Sequence, residues 1–138
     1  LSDIRGGDVT VDTGSGGVEA SGITASAFEV DTGSGEITLS RISAPVIHVD
    51  TGSGRVVVDL MDDVDELIVD TGSGSVTLRV PEGLGAEIEV DTGSGGIDVD
   101  IPLEVREFKR DHIRGILGDG RGRIMIDTGS GGVRLLRR

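Results

Sequence analysis

The stretch Val30-Asp31-Thr32-Gly33-Ser34-Gly35 decides how this chain is read. Its last five residues, Asp-Thr-Gly-Ser-Gly, recur six times, beginning at Asp12, Asp31, Asp50, Asp70, Asp91 and Asp127. The steps between copies are 19, 19, 20, 21 and 36 residues. Self-similarity at a period near 20 is the mark of a repeat architecture. Aligned on the Asp, the flanking columns agree as well. Three residues before it stand Val9, Phe28, Ile47, Leu67, Ile88 and Ile124, and one before it Val11, Val30, Val49, Val69, Val90 and Ile126. Six residues after it stand Val18, Ile37, Val56, Val76, Ile97 and Val133, and eight after it Ala20, Leu39, Val58, Leu78, Val99 and Leu135. The positions between are mostly polar, such as Glu29, His48 and Glu89 before the bend and Thr38 and Arg134 after it.

Alternation with period 2 predicts strands with one buried and one wet face. Each repeat therefore reads as a short strand, the bend, a second short strand and a corner. Phe28, Val30, Ile37, Leu39, Leu67, Val69, Val76 and Leu78 should point inward, and Glu29, Glu89 and Thr38 outward. Ile4, Ile23 and Ile42 belong at inward corners, and Pro45 closes a loop. The fold class expected is all-β: one β-solenoid domain over residues 1–138, about six coils and two main sheets, with right-handed winding favoured by parallel crossovers. In such a stack each coil buries its face against the next. The bend residues form a structural column: Asp12, Asp31, Asp50, Asp70, Asp91 and Asp127 with Gly14, Gly33, Gly52, Gly72, Gly93 and Gly129. The Asp side chains are expected to accept hydrogen bonds from bend amides in Asx-turns. The glycines are expected to supply positive φ.

The 36-residue step interrupts this pattern. Residues 103–122 read as an irregular insert or a cap over the stack, extended rather than helical. They contain the basic positions Arg106, Lys109, Arg110 and Arg114, which would cover the acidic stack or face solvent. The chain opens on Leu1 with its first repeat soon in register, which we read as a piece whose start lay upstream.

The composition narrows the function classes. Net charge is −12, with 4 basic and 21 acidic residues in positions 1–105, and 9 basic and 4 acidic in positions 106–138. So acidic a surface disfavours nucleic acid and anionic membrane as partners. No signal peptide or transmembrane run is present, so direct membrane insertion by this segment is not expected. There is no Cys and only Phe28 and Phe108 are aromatic, which suits a thin aliphatic stack better than a compact globule.

The repeated Val-Asp-Thr-Gly-Ser-Gly-x-Val-x-Leu resembles the bacterial "putative adhesin" families of unknown function, as does the ending Gly118-Asp119-Gly120-Arg121-Gly122-Arg123-Ile124-Met125-Ile126-Asp127-Thr128-Gly129-Ser130-Gly131. The resemblance covers essentially the whole chain. It implies a β-solenoid and a non-enzymatic structural or adhesion role in the cell envelope or outside the cell, and it offers no catalytic residues.

Other readings of the motifs compete with that one. Asp-Thr-Gly-Ser after apolar residues is also the signature of aspartic proteases, where two such loops share a proton between two Asp. Ile116-Leu117-Gly118-Asp119 resembles a segment near the end of retroviral-type proteases. Six equivalent copies argue against that chemistry, which needs one pair. A β-helix enzyme acting on polysaccharide would need basic residues in a groove, and positions 1–105 offer only Arg5, Arg41, Arg55 and Arg79. The Thr column lies in bends rather than in a flat ice- or sugar-binding array. Asp62, Asp63 and Asp65 could hold Ca²⁺, but the spacing and Gly of a calcium loop are missing, so a solvated corner is expected. His48 and His112 read as lone surface residues. No catalytic residue, metal or cofactor is expected. The chain's acidic body and basic end favour head-to-tail self-association, and an unknown surface ligand or protein partner is left open.

Overall fold

The computed structural model describes residues 2–61, 64–81, 85–100, 103–109 and 112–137. Leu1, Asp62, Asp63 and Arg110, named in the sequence analysis, lie outside the described residues. Those described form thirteen strands: β1 (Ser2–Thr13), β2 (Val18–Thr32), β3 (Ile37–Ser43), β4 (Val46–Ser53), β5 (Val56–Leu60), β6 (Glu66–Ser73), β7 (Val76–Val80), β8 (Ala86–Thr92), β9 (Ile97–Asp100), β10 (Leu103–Phe108), β11 (His112–Leu117), β12 (Gly122–Thr128) and β13 (Val133–Arg137). Among the described residues no helix is long and apolar enough to cross a membrane.

The strands make one continuous curled sheet rather than two separate ones. The pre-bend strands form one row in the order β1-β2-β4-β6-β12-β8-β11-β10, and the post-bend strands a second row, β2-β3-β5-β7-β13-β9. The long strand β2 belongs to both. Its residues Ala27–Thr32 pair with β4, and Val18–Thr24 with β3. Between stacked repeats the pairing is parallel and in register, motif on motif: Asp31 lies beside Asp50 and Thr32 beside Thr51.

The aliphatic columns fill the space between the rows. Phe28, Val30, Ile37, Leu39, Leu67, Val69, Val76 and Leu78 are all buried, as the alternation requires, and Ile23 and Ile42 close the corners. Ile4 is partly buried and packs against this core. At the far end Ile97 and Val99 are only partly covered, because β9 pairs on one side only.

The stacking order departs from the order of the chain. The last repeat, β12 and β13, does not lie at the end. β12 sits between β6 and β8, and β13 between β7 and β9. The bend amides repeat the order: Gly74 N donates to Ser130 O at 2.9 Å and Gly131 N to Ser94 O at 2.9 Å. Residues 103–122 explain it. They hold a β-hairpin, β10–β11, whose second strand pairs antiparallel with β8. With one edge of β8 taken by β11, the returning chain fills the other edge, between the fourth and fifth repeats.

Candidate functional site

Each bend uses its residues differently from the expectation. The strand alternation continues through Asp and Thr, so Asp points out and Thr points in. Thr32, Thr51, Thr71, Thr92 and Thr128 are buried, and among the described residues they are the only buried polar side chains. Each hydroxyl donates to the carbonyl of the Ser two residues on, at 2.8–3.0 Å. The Thr128 hydroxyl also stands 3.1 Å from the Gly74 carbonyl of the adjacent repeat. Among the described residues the Asp residues of the motif make no Asx-turn. Bend amides are already spent on the next repeat, as where Gly35 N donates to Ser53 O at 2.9 Å and Gly33 N to Thr13 O at 3.1 Å.

Both motif glycines lie against the backbone of the neighbouring repeat, and only the second also takes positive φ. Positive φ occurs at the second one, with φ 129° at Gly35 and 126° at Gly54. The first one, Gly33, Gly52, Gly72, Gly93 or Gly129, is needed for close approach, because a Cβ there would strike the carbonyl oxygen of a stacked first glycine. Gly14, on the outermost repeat, has nothing near it.

The outward Asp residues form a ladder across the sheet in the order Asp12, Asp31, Asp50, Asp70, Asp127, Asp91. Neighbours are one strand spacing apart, about 4.8 Å. Asp70 lies in the middle, and burial, then the charges of Asp127 and Asp50, raise its pKa above the ordinary carboxylate value. Two residues back runs a mixed row: Thr10, Glu29, His48, Ile68, Met125, Glu89. Shallow hollows lie between the rows. One of about 200 Å³ is bordered by Asp31, His48, Asp50, Ile68 and Asp70. Another of about 150 Å³ is bordered by Ile68, Asp70, Glu89, Asp91, Met125 and Asp127.

Each histidine has a carboxylate beside it, though His48 Nε2 makes no hydrogen bond. His48 is half-buried, with its Nε2 3.5 Å from Glu66 Oε2. His112 lies in register with Asp91, and its Nδ1 is 2.9 Å from Asp91 Oδ1 while Nε2 is 3.8 Å from Glu107 Oε1. The ladder thus ends on an imidazole. Glu89, Asp91 and His112 each bring a donor atom within 4.8 Å of the others. Sequence reading missed this group because antiparallel pairing across 21 residues brings His112 to Asp91. Among the described residues the basic side chains of the hairpin are spent on carboxylates: Arg114 reaches Glu87 on β8 at 3.3 Å, Arg106 reaches Glu104 at 3.3 Å, and Lys109 reaches Glu107 at 3.4 Å. Asp119, in the protease-like segment, holds a local turn, accepting from Arg121 N at 3.2 Å.

The family model described as Toastrack DUF4097 matches residues 1–136. The chain belongs to the Toastrack DUF4097 family. A solved structure described as a "putative cell adhesion protein" from Clostridium sporogenes ATCC 15579 has a similar fold, with a TM-score of 0.58 at 9% identity. The match covers 99% of this chain and 94% of that one. No curated protein resembles this Toastrack chain in sequence closely enough to count as a match.

Proposed function

We propose that this Toastrack domain is a non-enzymatic structural or adhesion module of a bacterial cell-envelope or surface protein. In this reading it is a β-solenoid of six coils, wound right-handed as parallel crossovers prefer. The observation that carries it is the outward ladder. Six stacked repeats present Asp in register on an open sheet face, with only shallow hollows beside it. That arrangement suits repeated weak contacts along a surface, where a small-molecule enzyme would need an enclosing cleft. The fold shared with the clostridial protein supports the same reading, as does the family resemblance of the bends.

Two experiments test it. The full-length protein, tagged and probed on intact cells with an added protease, should be cleaved from outside and should fractionate with the envelope. Recovery in the cytosol, protected from the protease, would count against the surface role. The hydrolase alternatives predict pepstatin-sensitive peptide cleavage at acid pH or depolymerisation of polysaccharide, and neither activity is expected. The open edges of β1 and β9 also favour head-to-tail association, because unpaired strand edges invite another chain. Light scattering that stays monomeric at low salt and high concentration would rule that out.

A further inference from the structure

We propose that Glu89, Asp91 and His112 form a binding site for a divalent transition-metal ion, which ties the β10–β11 hairpin to the end of the stack. The site is built by register. Glu89 and Asp91 are two residues apart on β8 and so share its outer face, and His112 on β11 is the direct cross-strand neighbour of Asp91. The 2.9 Å between His112 Nδ1 and Asp91 Oδ1 is a hydrogen bond that already brings an imidazole nitrogen and a carboxylate oxygen together. Tetrahedral bonds of about 2.1 Å place their donors about 3.4 Å apart, so this pair has to open by only about half an ångström to take the ion. Glu89 already lies within reach, its donor within 4.8 Å of the other two. As its side chain is half-buried at the surface, rotation can complete the set.

Two further observations point to a cation there. With Nδ1 turned to the carboxylates, Nε2 faces Glu107 at 3.8 Å. A carboxylate that accepts from the second ring nitrogen is the usual support of a metal-bound histidine, since it orients the ring and fixes its tautomer; Glu107 Oε1, which Lys109 also approaches at 3.4 Å, needs to close by about half an ångström to take that role. The local charge is also negative: Asp91 has Asp127 as its other neighbour, while the nearby cation Arg114 is held by Glu87 at 3.3 Å. One imidazole nitrogen with two carboxylates selects ions of the manganese-to-zinc series over Ca²⁺ and Mg²⁺. The rest of the Asp ladder has only oxygen to offer and lacks this preference. The inference does not depend on the surface role.

The test is calorimetric titration of the whole chain with Zn²⁺, with Co²⁺ absorption as a second readout. One ion per chain is expected, with a dissociation constant on the order of micromolar. His112→Ala and Asp91→Asn should each weaken binding by about tenfold or more, and His48→Ala should leave it unchanged. Hydrogen exchange in β11 should slow when Zn²⁺ is bound. A lack of saturable binding would overturn the proposal. So would a His112→Ala protein, still folded by its melting curve, that binds Zn²⁺ as the parent does. Equal affinity for Ca²⁺, insensitive to His112, would assign binding to the Asp ladder and overturn it as well.

Discussion

At Gly52 an added Cβ would run into the carbonyl of Gly33, whereas at Gly14 it would meet nothing within 4 Å. The same motif position therefore carries different costs along the stack. Gly52→Ala should destabilise by about 2 kcal/mol or more, since backbone cannot move aside as a side chain can, while Gly14→Ala should be near neutral. Melting temperatures of the two variants check this directly, and equal effects would contradict the stacking of bends. The Asp column gives a second prediction. Burial and two like charges raise the pKa of Asp70, so the ionised form is disfavoured in the folded chain. The folded state then holds its proton to higher pH than the unfolded state does. Stability falls as pH rises from the ordinary carboxylate range through the raised pKa, and the penalty is complete above it. Asp70→Asn should accordingly melt about 1–3 °C higher at neutral pH, a small shift because the group is largely solvated. The gain should vanish at a pH below the ordinary carboxylate range. A gain that persists there would refute the charge explanation.

The hairpin is the element on which the non-repeating part of the chain depends. β11 covers the edge of β8, and its Ile113 is fully buried beside Val90. An uncovered β8 would leave a row of unpaired backbone groups at the end of the stack. Ile113→Asp places a charge under the hairpin and should release it from β8, because a buried unpaired charge is not tolerated. Hydrogen exchange should then quicken in β8, β10 and β11, with β4 and β5 keeping their protection. Uniform loss of protection would show instead that the hairpin and the stack unfold as one unit.

Across the whole molecule the decisive property is the stacking order, with the last repeat between the fourth and fifth. The chain has no cysteine, so pairs introduced at outward positions can report that order. Ile68 and Met125 are register partners, and so are Met125 and Glu89. Neighbouring parallel strands are about 4.8 Å apart, within disulfide range, while two spacings exceed the roughly 7 Å limit. Ile68→Cys with Met125→Cys, and Met125→Cys with Glu89→Cys, should oxidise readily. Ile68→Cys with Glu89→Cys should stay reduced within the monomer. The opposite pattern would mean that the repeats stack in chain order.

The strands, the buried faces and the in-register motif were legible in the sequence because period-2 alternation and the bend recur six times over. Phe28, Val30, Leu67 and Val69 are buried for that local reason alone. The roles inside the bend were less legible, because an Asp can cap a turn only where the turn's amides are free. Here the stacked repeats take those amides, which leaves Asp facing water and Thr as the buried donor. The stacking order was not written in the repeats at all. Their edges are nearly alike, so pairing energy hardly distinguishes one neighbour from another. Tertiary structure decided it, when β11 occupied one edge of β8 and left β12 only the other. The meeting of His112 with Asp91 follows from that same antiparallel pairing.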